Sequence, residues 1–125
     1  MAIPPRLEKE LTELKQTLTI EVTEDKNYVF LVVKEFRLGD VFNLTNSDLL
    51  LKIPKSYPEA GPDMFFIHPD VTFTDGRIPQ AAESIETVLG REWRRFSWHQ
   101  KSWNPSIDNM HSHLEFIKAR LRKNE

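Results

Sequence analysis

Leucines at positions 7, 11, 14 and 18 recur at spacings of four, three and four, the repeat of one helical face. Pro4 and Pro5 ahead of them suit a first turn, where no amide donor is needed. Glu8, Lys9, Glu10, Glu13 and Lys15 fill the other faces, with Lys9 and Glu13 one turn apart. The pattern predicts an amphipathic helix docked on a core with a solvated back. Its polar face is not dominated by Lys and Arg, which argues against a membrane-surface helix. From Thr19 the period shortens. Thr19 to Thr23 puts Ile20 and Val22 on one face, Glu24 to Asn27 is a turn cluster, and Tyr28 to Phe36 is rich in β-branched and aromatic residues, so a hairpin is expected. Arg37 to Asp40 turns the chain at Gly39, Leu49 to Ile53 predicts a third strand and Met64 to Ile67 a short fourth.

Near the end Ile107, Met110, Leu114, Ile117 and Leu121 return to helical spacing. Pro105 fits the first turn of that helix, Asp108 its positive end, and Lys118, Arg120, Arg122 and Lys123 its negative end. A helix, an antiparallel meander of three to four strands, a long loop and a C-terminal helix packed on the sheet define an α+β class. The 125 residues fit one domain, 1–125, large enough for a single core.

Composition narrows the chemistry. With 39% hydrophobic and 29% charged residues and a net charge of −2, the chain falls outside the disordered classes and lacks a global polyanion-binding charge. The absence of cysteine removes disulfides, thiolate zinc sites and a thiol nucleophile. No secretory pattern opens the chain, and the longest apolar run, Tyr28 to Val33, is far short of a membrane span, so a cytoplasmic protein without membrane contact is expected. No cofactor or metal is expected either: His111 and His113 lie about 200° apart around an ideal helix and cannot face one ion together.

Between Ile53 and Asp70 four prolines (Pro54, Pro58, Pro62, Pro69) fix the backbone and remove donors, which predicts an ordered, extended connection. Tyr57-Pro58, then His68-Pro69-Asp70, then Gly76-Arg77-Ile78-Pro79, then Trp103-Asn104-Pro105 before the last helix resemble, in order, the Y-P, H-P-N, G-x-I-C and W-x-P elements of the ubiquitin-conjugating E2 superfamily, the UBC/RWD-like fold. The chain is similar to its bacterial members, in particular the prokaryotic E2 family E, which is associated with ubiquitin-like modification systems. The resemblance implies structural roles for Tyr57, Pro58, His68, Pro69, Gly76, Trp103 and Pro105. It also exposes departures. Pro79 stands where the thiol belongs and has no atom that could form a thioester. Asp70 replaces the asparagine whose amide donates to a developing oxyanion, and a carboxylate opposes that charge instead. The stretch from Pro79 to Trp103 is much longer than the motif allows, so residues 80–102 form an insert.

From Arg91 to Trp103, Arg91, Arg94, Arg95 and Lys101 oppose Glu92 and are interleaved with aromatics. Such a stretch packs under a loop or grips a protein partner, with Trp93, Arg95 and Trp98 as the candidate contacts; it is too short a basic footprint for nucleic acid. His68 is expected to brace turn backbone. Ser97, His99 and Asp70 supply the residue types of an activated hydroxyl, but no elbow motif surrounds the serine. The resemblance thus implies a cysteine-free, non-catalytic adaptor or scaffold that binds a ubiquitin-like protein, its activating enzyme, or both. Two alternatives stand beside it: an enzyme transferring a ubiquitin-like protein through Ser97 or His99, and an RWD-like interaction module unrelated to ubiquitin. The last is suggested by the little chain left after the final helix.

Overall fold

The computed structural model describes residues 3–62, 64–98 and 102–122. Helix α1 covers Pro5–Leu14 and α2 Met110–Leu121; between them run β1 (Ile20–Glu24), β2 (Tyr28–Arg37), β3 (Asn46–Pro54), β4 (Phe65–Ile67), β5 (Ser84–Val88) and β6 (Arg91–Phe96). All neighbours are antiparallel, in the order β1-β2-β3-β4-β6-β5. The α+β architecture agrees with the sequence, but the sheet has six strands where three or four were expected. The extra pair comes from the insert read as a long loop. Val88 pairs with Arg91, and Leu89 (φ +54) and Gly90 (φ +78) form the two-residue turn between them. Positive φ at both central residues matches the right-handed twist of the flanking strands.

Alternation along the strands buries two faces. Val29, Leu31, Val33, Leu49, Leu51, Ile53, Phe65, Ile67 and Phe96 join Leu7, Leu11, Leu14, Met110, Leu114, Ile117 and Leu121 in one core between sheet and helices. On the helix-free face Phe30, Val32, Leu50, Phe66 and Trp93 form a second cluster. Long cations cover its edges: the Lys52 ammonium lies 4.3 Å from the Tyr28 ring centroid and the Arg91 guanidinium 4.1 Å from that of Trp93. Asp48 ties this face together, accepting from Lys34 Nζ at 3.0 Å and Arg91 Nη1 at 3.1 Å. Burial raises its carboxyl pKa, the bonds from Lys34 and Arg91 lower it, and the balance lies below the usual carboxylate value.

Both helices depart from the simple pattern. In α1, Glu10 is buried where a solvated face was expected, because its carboxylate accepts from Tyr57 Oη, from the Met110 amide at 2.9 Å and from Arg6 Nε at 2.8 Å. Leu18 lies beyond the end of α1. Helix α2 begins at Met110, so Pro105 and Ile107 precede it, and Ile107 is 73% exposed. The start is fixed by a reciprocal cap: Asn109 Oδ1 accepts from the Ser112 amide at 2.8 Å, and Ser112 Oγ accepts from the Asn109 amide at 3.0 Å. Lys118 and Arg120 occupy the last turn, as the charge pattern predicts.

Candidate functional site

β4 ends at Ile67, and the chain turns through His68, Pro69 and Asp70. The Val71 amide donates to the His68 carbonyl at 3.1 Å, and the Asp70 amide donates to His68 Nδ1 at 3.1 Å. His68 is therefore a turn brace with Nδ1 as acceptor. The His68 amide is held in turn by Ser47 Oγ at 3.1 Å. Asn43, from the β2–β3 connection, fastens the next residues: its Nδ2 donates to the Asp70 carbonyl at 3.1 Å and its Oδ1 accepts from the Thr72 amide at 2.9 Å. Beside it Phe42 and Phe73 stack with centroids 5.3 Å apart.

The chain then closes a tight turn. The Phe73 amide donates to the Arg77 carbonyl and the Gly76 amide to the Phe73 carbonyl, each at 2.9 Å, with Gly76 at φ +91 where a side chain is disfavoured. The Asp75 carboxylate accepts from the Arg77 amide at 3.0 Å and from Arg77 Nε at 2.7 Å, and these bonds hold its pKa below the usual value. Two residues later Pro79 is buried, and its carbonyl accepts from the Ala82 amide at 3.1 Å.

Three consecutive carbonyls beyond Pro79 are each tied to β6 or the residues after it. Gln80 O accepts from Trp98 Nε1 at 2.7 Å, Ala81 O from the Ser97 amide at 3.0 Å and Ala82 O from Arg94 Nη1 at 2.7 Å. Arg94 is itself buried, and its Nε and Nη2 donate to Pro69 O at 3.1 and 2.9 Å. One guanidinium thus joins the His-Pro turn to the segment after Pro79. Backbone carbonyls supply the acceptors that a buried cation requires.

A second set of contacts fixes the Tyr-Pro turn. Tyr57 is buried, and burial followed by the Glu10 carboxylate raises its phenol pKa far above the usual value. The Tyr57–Pro58 peptide is cis, and Pro58 O accepts from Trp103 Nε1 at 2.8 Å. Trp103 also packs so closely on Gly61 that a Cβ there would lie 2.3 Å from its ring. Arg6 reaches the carbonyls of Pro105 and Asp108, joining α1 to the segment before α2.

A model of the prokaryotic E2 family E matches residues 4–124. The chain belongs to that family. Neither curated proteins nor solved structures give a significant match. In this family E chain the motif residues sit at two turns. Tyr57, Pro58, Trp103 and Pro105 lock one turn to the helices, while His68, Pro69 and Gly76 shape the neighbouring edge.

Of the residues considered for chemistry, the structure describes Asp70 and Ser97. The Asp70 side chain is 82% exposed, its carboxylate 3.9 Å from His68 Nδ1, and among the described residues no hydrogen bond links it to Ser97. His99 lies outside the described residues. Two of the partner-contact candidates, Trp93 and Trp98, are buried. The ring of Trp93 is buried in the helix-free cluster, with Nε1 donating to Val88 O at 3.0 Å. That of Trp98 is buried against Phe65 and Phe96, with the Arg120 guanidinium 4.3 Å from its centroid. Each ring is taken up by this chain's own packing and leaves little for a partner to cover. Arg95 is half-buried and paired with Glu86 at 2.5 Å. Among the described residues no group of His, Asp and Glu is placed to hold a metal ion, and no helix is long and apolar enough to cross a membrane.

Sequence reasoning missed Arg94, Asn43 and Glu10. Arg94 reads in the sequence as one more charge of a basic stretch, although it lies between Trp93 and Phe96. Asn43 carried no local signal, since its partners lie 27 and 29 residues away. Of the partners of Glu10, Arg6 is local, one turn before it, while Tyr57 and Met110 lie 47 and 100 residues away.

Proposed function

We propose that this protein is a non-catalytic E2-like adaptor in a bacterial ubiquitin-like modification system, binding a ubiquitin-like protein or its activating enzyme without accepting the acyl group. The supporting observation is Pro79. It occupies the position that the family resemblance gives to the thiol, it is buried, and the carbonyls that follow are pinned to β6 and its extension. A thioester needs an ionisable, accessible nucleophile, and neither condition is met there. The retained scaffold offers family-shaped surface and no transfer chemistry at residue 79. Ser97, the alternative nucleophile, shares no hydrogen bond with Asp70 among the described residues.

Titration calorimetry of the purified protein against a bacterial ubiquitin-like protein and an activating enzyme from its own organism tests this reading. Saturable binding to at least one is expected. In the presence of both and ATP, intact mass spectrometry should find no added mass on this chain. Failure to bind either overturns the adaptor role, and an adduct that survives reducing agent and disappears with Ser97→Ala establishes the oxygen-nucleophile enzyme instead.

A further inference from the structure

A groove with a volume of about 470 Å³ lies between the end of β2 and the last two turns of α2. That size falls within the range of ligand-binding clefts. Its floor is apolar: Phe36, Leu38, Leu114 and Leu121 line it, all of them buried in the helix-side core. Its rim is cationic. Arg37 stands on the strand lip and Lys118 and Arg122 on the helix lip, against Glu35 as the carboxylate among the lining residues. Arg37 pairs with Asp40 at 3.5 Å and Lys118 with Glu115 at 3.2 Å. Both pairs are solvent-exposed and worth little, so a competing carboxylate can displace them. Arg122 has no carboxylate within ion-pair distance among the described residues.

The strand lip is a specialised piece of backbone. The β2–β3 register slips between Val33 and Phe36, and Glu35 takes φ +53, a conformation that disfavours side chains. That bulge turns Phe36 into the helix-side core beside Leu38. From Leu114 to Arg122 the helix lip is about 12 Å long, the span of about four extended residues.

We propose, independently of the ubiquitin-like reading, that this groove binds a short extended protein segment in which aliphatic side chains are flanked by carboxylates. The aliphatic side chains lie on Phe36, Leu38, Leu114 and Leu121, and the carboxylates pair with Arg122 and Arg37 across the two lips. Charge complementarity selects this occupant, because the cations stand on both sides of an apolar trough and a neutral segment would leave them unused.

Fluorescence anisotropy with a fluorescein-labelled synthetic peptide of leucines between aspartates tests the proposal. Its controls are the same peptide with lysines for the aspartates and with serines for the leucines. The leucine–aspartate peptide should bind, more weakly as salt rises, and each control should bind less tightly. Arg122→Glu and Arg37→Glu, on opposite lips and both exposed, should each weaken binding by about fivefold, the upper range for an exposed ion pair. Lys26→Glu, in the distant β1–β2 turn, should leave it unchanged. Equal binding of the aspartate and lysine peptides overturns the proposal. So does no binding, unchanged affinity in both lip variants, or a groove that takes octanoate but none of the peptides.

Discussion

The guanidinium of Arg94 closes on the carbonyl of Pro69 through two nitrogens, Nε at 3.1 Å and Nη2 at 2.9 Å, while Nη1 holds Ala82. A planar fork with several fixed donors suits this task, and an ammonium does not reproduce it. Arg94→Lys should lower stability by about 1.5–3 kcal/mol, and Arg94→Leu should cost at least as much because the two carbonyls lose their buried donor. Urea denaturation of the variants measures both. If Arg94→Lys matches the parent protein, the guanidinium does not brace this edge.

Gly61 is required by Trp103. A methyl group 2.3 Å from the indole must push the ring off Pro58 O and Tyr57. Gly61→Ala should destabilise by about 1–3 kcal/mol, the usual cost of overpacking. A shift of the tryptophan emission spectrum should accompany it, and an unchanged melting curve would contradict the packing.

Tyr57 gives the protein an alkaline limit. Its pKa is raised in the folded state, so the phenol contributes stability that is complete below the unfolded value of about 10 and is lost as pH rises above it. The slope attributable to this group should reach about 1.4 kcal/mol per pH unit. Tyr57→Phe should be less stable at neutral pH, having lost the bond to Glu10, and should flatten that slope. Denaturation curves between neutral and strongly alkaline pH separate the two effects.

Asp48 sets an acid limit by the opposite sign. Its folded pKa lies below the ordinary value, so its contribution is present above about pH 4 and disappears as pH falls through the folded value. Asp48→Asn should remove part of the acid dependence of stability and weaken the attachment of β6 through Arg91. An acid titration of stability identical to that of the parent would exclude this role.

Pro79→Cys should not make a conjugating enzyme. The new thiol would lie in a buried position, and burial in such surroundings slows thiolate formation. Ellman's reagent should react slowly with the native variant and promptly in urea. Rapid reaction in native buffer would show the position to be open.

Where spacing or composition determines an element, the sequence is legible. Leu7, Leu11 and Leu14 predict α1 by their spacing, and the β-branched and aromatic run from Tyr28 to Phe36 and the apolar run from Leu49 to Ile53 predict the central strands. The end of β2 is less so, because a bulge shifts the register between Val33 and Phe36. The β5–β6 hairpin escaped because Arg94 occupies an inward position and is satisfied by carbonyls, so a core strand reads as a charged loop. Ile107 misled in the other direction: it continues the helical spacing, yet Asn109 and Ser112 start the helix after it. The Asn109-x-x-Ser112 cap was readable and outweighs one matching apolar residue. For the site, the motif order identified the turns and the missing thiol, while the clamps by Asn43, Glu10 and Arg94 depend on distant residues and emerge only from the folded chain.

The three tethered carbonyls after Pro79 also bear on engineering. Trp98, the Ser97 amide and Arg94 hold Gln80, Ala81 and Ala82 in succession, so a side chain grafted at residue 79 meets a splinted backbone, and giving it freedom to move means untying several bonds that each contribute to stability.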